Sequence, residues 1–155
     1  MNQTQTTAEA LEAAALTRRG AVHANPAEPC AEAAPVPEAV SKKPVDQKSP
    51  AEWAYQRVIM YLKNFEEQLD AEHEVAMGFT GGDMGVLRIQ GVGFYAPDII
   101  TFYGIDQAGA KTQLIQHVNQ LNVMLRALPR PSQAAPARRI GFRLASDLED
   151  TGGES

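Results

Sequence analysis

The chain has 155 residues, with 14 basic and 19 acidic side chains and a formal net charge of −5; a single domain fits that length. The excess sits at the ends: residues 1–48 hold six acids and five bases, residues 49–145 nine of each, and residues 146–155 four acids and no base. A neutral middle argues against the basic surface that nucleic-acid binding draws on, and no apolar run approaches the ~20 residues that cross a bilayer, so neither nucleic acid nor membrane is expected as a partner.

Residues 1–48 are rich in Ala, Pro and Glu and carry no Trp, Tyr or Phe. Thr7 to Leu16 has helix-forming composition, with few apolar side chains to dock it. Met1-Asn2-Gln3-Thr4 carries no basic side chain, and the Ala-rich run is broken by Glu9 and Glu12, which does not read as a secretory leader. From Gly20 to Lys48 prolines interrupt a stretch poor in large apolar residues, the composition of a disordered linker. His23 and Cys30 fall within it. One cysteine allows neither an intramolecular disulfide nor a Cys-based zinc site, and it fits a reducing compartment; a cytoplasmic protein is expected.

The composition changes at Ser49-Pro50-Ala51-Glu52-Trp53, and every aromatic residue follows. Ser49 suits an N-cap, Pro50 the first helical position, and Glu52 a capping box. Ala54, Val58, Tyr61, Leu62, Phe65 and Leu69 then follow helical spacing, so a helix is expected from Ser49 to near Asp70. Trp53, Tyr55, Ile59 and Met60 widen its apolar stripe beyond what one small sheet covers. These four are the candidate interface for a partner or a homodimer.

Strands follow. Val75, Met77 and Phe79 alternate with small residues before a turn at Gly81-Gly82-Asp83. Gly85 to Tyr95 reads as a second strand, with Gly91 and Gly93 marking a bulge or a close backbone approach. Ala96-Pro97-Asp98 turns the chain into Ile99–Ile105, and Asp106-Gln107-Ala108-Gly109 turns it again into Lys111–His117. Leu121, Met124, Leu125 and Leu128 recover helical spacing up to Pro129, and Ile140 to Leu144 reads as a short last strand. The expected fold is α+β: a mainly antiparallel meander sheet packed by two helices, in the order α-β-β-β-β-α-β. The domain spans residues 49–145, with disordered tails at 1–48 and 146–155.

His117, in the amide-rich run Gln116-His117-Val118-Asn119-Gln120, is the first candidate for chemistry. No nucleophile or second metal ligand accompanies it, so a hydrogen-bonded junction with Asn119 as N-cap accounts better for the run. Candidate ligand or partner contacts are Tyr95, Asp98, Gln116, His117 and Gln120. His73 lies in an acidic turn whose consecutive residues do not converge on one ion. Gly91-Val92-Gly93 lacks the third glycine and following helix of a dinucleotide fingerprint. No catalytic residue, metal or cofactor is expected. Arg126, Arg130, Arg138, Arg139 and Arg143 cluster late, and Glu66, Glu67, Asp70, Glu72 and Glu74 early. They form either two solvated surfaces or a head-to-tail interface between protomers.

The segments Ser49-Pro50-Ala51-Glu52-Trp53-Ala54-Tyr55, Phe94 to Gly104, Gln113 to Leu121 and Arg139 to Phe142 resemble a family of small bacterial proteins of unknown function, over Ser49 to Leu144. The resemblance implies a bacterial source and a cytoplasmic domain, and it implies no activity. The expected function is therefore a non-enzymatic binding or adaptor module working through protein–protein contacts. The alternative is a small-molecule sensor or an enzyme using Gln116, His117 and Gln120. The two readings part on whether those amides line a concave pocket or bond to backbone at the junction.

Overall fold

In the computed structural model, residues 20–25, 27–36, 40, 47–79 and 85–153 are described. The expected helix at Thr7 to Leu16 and the turn at Gly81-Gly82-Asp83 lie outside them. Helix α1 runs Pro50–Glu67, strands β1 to β5 run His73–Phe79, Val86–Tyr95, Ile99–Ile105, Lys111–His117 and Val123–Pro129, and helix α2 runs Ile140–Gly153. Among the described residues no helix is long and apolar enough to cross a membrane.

The fold is α+β, a five-stranded antiparallel sheet with two helices. Two elements differ from expectation. Residues 123–129 are a strand, β5, where helical spacing had been read, and residues 140–153 are a helix where a strand and tail had been read. The order is thus α-β-β-β-β-β-α. Tertiary pairing decides the first change: every residue of β5 is in register with β1, from Phe79↔Val123 to His73↔Pro129. The second rests on a cap supplied from far along the chain. Glu66 of α1, buried, accepts from the backbone N–H of Gly141 at 2.8 Å and of Phe142 at 3.2 Å, satisfying donors that open α2.

Strands β1 to β4 form a meander, and β5 adds beside β1, giving the order β4-β3-β2-β1-β5. The five residues between β4 and β5 therefore join opposite edges. Flat, those edges would stand roughly 19 Å apart, about the full reach of the connection if extended, yet three of its residues are coiled into a 3-10 turn, Val118–Gln120. The sheet must curl, and β2 is where it does so. Its first residues pair with β1 (Met77↔Leu87), the rest with β3, and the register slips between Ile89 and Gly91. The glycines behave as expected: the ring of Tyr103 lies over Gly91 and Gly93, and a Cβ on Gly93 would meet Thr101 Oγ1 at 2.8 Å.

Both helices lie on the inner face. Leu62 of α1 packs with Met77, Leu87, Ile100 and Phe102 from three strands, all fully buried, and the Phe79 and Phe102 rings meet at 5.1 Å. On the outer face Tyr95, Tyr103, Ile115 and Met124 remain exposed. Packing also begins before Ser49: Ala31, Val40 and Lys48 are buried, and Gln68 of the α1 C-cap donates to the Pro29 carbonyl. Few large side chains are needed there, because small ones already fit against a helix flank.

The two charge clusters meet within the chain. Arg130 pairs with Glu72 at 3.2 Å. Glu74 accepts from Arg88 at 3.3 Å and from the Arg138 backbone at 2.8 Å. Arg139 donates to the carbonyls of His73 and Asp70, each at 2.7 Å. These bonds tie the 130–139 loop to the start of β1 and aim α2 at α1.

Candidate functional site

The junction after β4 is built from the residues singled out in the sequence. His117, and not Asn119, caps the 3-10 turn: its Nδ1 accepts from the Asn119 backbone N–H at 3.0 Å, while Gln120 Oε1 accepts from the His117 N–H at 3.0 Å. Asp98 closes the corner. Its carbonyl accepts from Val118 N–H at 2.8 Å and its carboxylate lies 3.3 Å from His117 Nε2. His117 Nδ1 is thus engaged by the backbone of the turn, while Nε2 faces the Asp98 carboxylate at ion-pair distance. Asp98, His117 and Gln120 come together; Tyr95 and Gln116 do not join them. Tyr95 stands 78% exposed on the outer face. Gln116 sits opposite Ile100, and its Oε1 is buried without a hydrogen-bond partner among the described residues.

The four candidate interface residues on α1 divide differently. Ile59 is completely buried. The Tyr55 ring packs on Phe94 at 4.9 Å, and Met60 lies in a shallow cleft with Ala34, Val36 and Leu148. Tyr55 and Ile59 are thus covered by the chain itself, while Met60 borders the cleft. Trp53 is the exception, because it faces a groove.

That groove, about 690 Å³ in volume, runs between α1 and the sheet edge at β5. Trp53, Arg57 and Tyr61, four residues apart, form one line along α1. Met77, Val123 and Leu125 form the opposite wall, with Leu121 and Asn122 at the end. The lining is apolar apart from a few polar tips. Lys48 Nζ and the Arg57 guanidinium lie 4.1 and 4.0 Å from the Trp53 ring centre, holding the indole in place. Val123, Leu125 and Asn122 carried no functional reading in the sequence because the segment read as a helix. The signal present was period-two alternation: Val123 and Leu125 turn inward, Met124 and Arg126 outward.

No curated protein and no solved structure matches the chain. A family model described as a family of unknown function (DUF6173) matches residues 43–143, which takes in α1, all five strands and the start of α2. With a match over more than half its length, the chain belongs to that family of unknown function.

Proposed function

We propose that this domain is a non-enzymatic binding module that takes an extended, apolar peptide segment of a partner protein into the groove between α1 and β5. The observation that carries the reading is the coincidence of an apolar groove with an unpaired sheet edge. Among the described residues β5 pairs on one side only, with β1, so its other edge offers backbone donors and acceptors to a further strand. Alternate side chains of that strand would enter the groove between Trp53 and Leu125. The reading that makes Gln116, His117 and Gln120 a ligand or catalytic site has less behind it, since His117 and Gln120 are spent on the backbone of the junction. The single cysteine fits a reducing, cytoplasmic setting for this binding.

Trp53, the only tryptophan, reports directly. Ten-residue peptides alternating Leu or Val with polar residues should shift its fluorescence. Proline at alternate backbone positions of the peptide should abolish the shift, as should Val123→Glu in the domain. Binding that persists in Val123→Glu, or a complete lack of response across the panel, would overturn the reading. A second copy of the chain as the occupant would show as a dimer in sedimentation equilibrium that Val123→Glu dissociates.

A further inference from the structure

We propose that His23, Cys30 and Glu32 form a binding site for a divalent transition-metal ion of the zinc type. In the sequence the single cysteine argues against a zinc site; that holds for sites built on several cysteines, and here Cys30 is joined by His23 and Glu32 instead. Folding brings one nitrogen, one sulfur and one oxygen ligand atom within 4.8 Å of one another. Ligands around a tetrahedral zinc, at bond lengths of about 2.0–2.3 Å, sit roughly 3.3–3.6 Å apart. Closing the set takes side-chain rotation of about an ångström, and all three residues are half-buried and accessible to an ion.

Local structure explains the convergence. Asn25 reverses the chain: its Oδ1 accepts from Ala27 N–H at 3.1 Å and its carbonyl from Glu28 N–H at 3.0 Å, which returns the segment after His23 toward Cys30. A 3-10 turn, Ala31–Ala33, then begins at Cys30, whose carbonyl accepts from Ala33 N–H at 3.2 Å. Glu32 is held from outside the segment, because the Tyr61 hydroxyl of α1 donates to its Oε1 and leaves Oε2 for an ion. Glu28 Oε2 lies 3.9 Å from His23 Nδ1, adding a second carboxylate near the cluster.

The donor set selects the ion. A thiolate with an imidazole suits zinc or its neighbours and disfavours magnesium and calcium, which take oxygen ligands. Three protein ligands leave a fourth position open. Since Tyr61 belongs to α1, a bound ion would fasten the 23–32 segment to the helix flank.

Cobalt(II) added to the full-length, chelator-treated protein tests this. A one-to-one ion with a thiolate-to-cobalt charge-transfer band, displaced by zinc, is expected. Cys30→Ser should abolish the band, His23→Ala and Glu32→Gln should each weaken binding about ten-fold or more, and Tyr61→Phe should weaken it less. No band at stoichiometric cobalt would overturn the proposal. So would a band of unchanged affinity in both His23→Ala and Glu32→Gln, the signature of a lone thiol. A measurement on the unaltered chain keeps the test independent of variant folding: zinc should slow alkylation of Cys30 by iodoacetamide, and an unchanged rate would equally overturn the site.

Discussion

On one flank of α1 the chain closes to backbone contact. A Cβ on Gly141 would stand 2.6 Å from Leu62 C and Lys63 N, so α2 crosses where only glycine fits, and Glu66 reaches across to bond the first turn of its neighbour. On the other flank the same helix faces β5 over about 690 Å³ of apolar space. The contrast separates two uses of one helix. Directional bonds and a steric match fix the fold on the first flank. The second presents apolar surface, and the proposed peptide would lie along it.

Substitutions on the two flanks should therefore differ in kind as well as in size. The largest effect is expected from Gly141→Ala, where the added methyl meets backbone that cannot rotate away. A loss of about 3 kcal/mol in denaturant unfolding is expected, at the high end of the cost of overpacking. An unchanged midpoint would show that the helices part easily and that the contrast is false. Glu66→Ala comes next, at about 2 kcal/mol, because two backbone donors lose a charged acceptor.

Ser49→Ala should cost ~0.5–2 kcal/mol, since Ser49 Oγ accepts from Glu52 N–H at 3.2 Å at the start of α1. On the groove flank, Leu125→Ala should cost about 1 kcal/mol, as the side chain is only half-buried, yet it should weaken peptide binding measured through Trp53 by more than any change on the α2 flank. Equal effects of Leu125→Ala and Gly141→Ala on binding would dissolve the distinction.

The smallest effect is one of pH. Burial pushes the Glu66 carboxyl above its ordinary value of 4.5, partly offset by the bonds from Gly141 and Phe142. Between its unfolded and its raised folded value, the folded chain holds a proton that the unfolded chain has released. Glu66's own contribution to stability should therefore fall as pH rises through that window, then level off. The stability of the wild type relative to Glu66→Gln should rise as pH is lowered into the window. A fall there would mean that the two backbone bonds outweigh burial.

Much of the fold was legible in the sequence because the signals were local. Strands β3 and β4 lie where alternation and turn residues placed them, and α1 begins at the cap read from Ser49-Pro50. The reading failed where local signals conflicted. In residues 121–129, Leu121, Met124, Leu125 and Leu128 match a helix while Val123 and Leu125 match a strand, and pairing with β1 chose between them. In residues 140–153 a short apolar run and an acidic tail hid a helix whose opening turn is completed by Glu66. The groove was invisible for the same reason, since one of its walls exists only if β5 is a strand. At the junction the sequence did better: Asp98, His117 and Gln120 do meet, in a corner held by backbone hydrogen bonds.

The crossing from β4 to β5 also bears on the sequence of events in folding. Strands β2 to β4 are joined by tight turns, so their pairing closes only short loops. Pairing β5 with β1 closes loops of roughly fifty residues, and loops of that length carry a larger entropic cost at the moment of closure. It also needs the curl at β2 in place, because the short connection cannot span a flat sheet. The hairpins should therefore zip first and β5 dock late, which makes the wall of the groove the last part of the sheet to form and the first to come away.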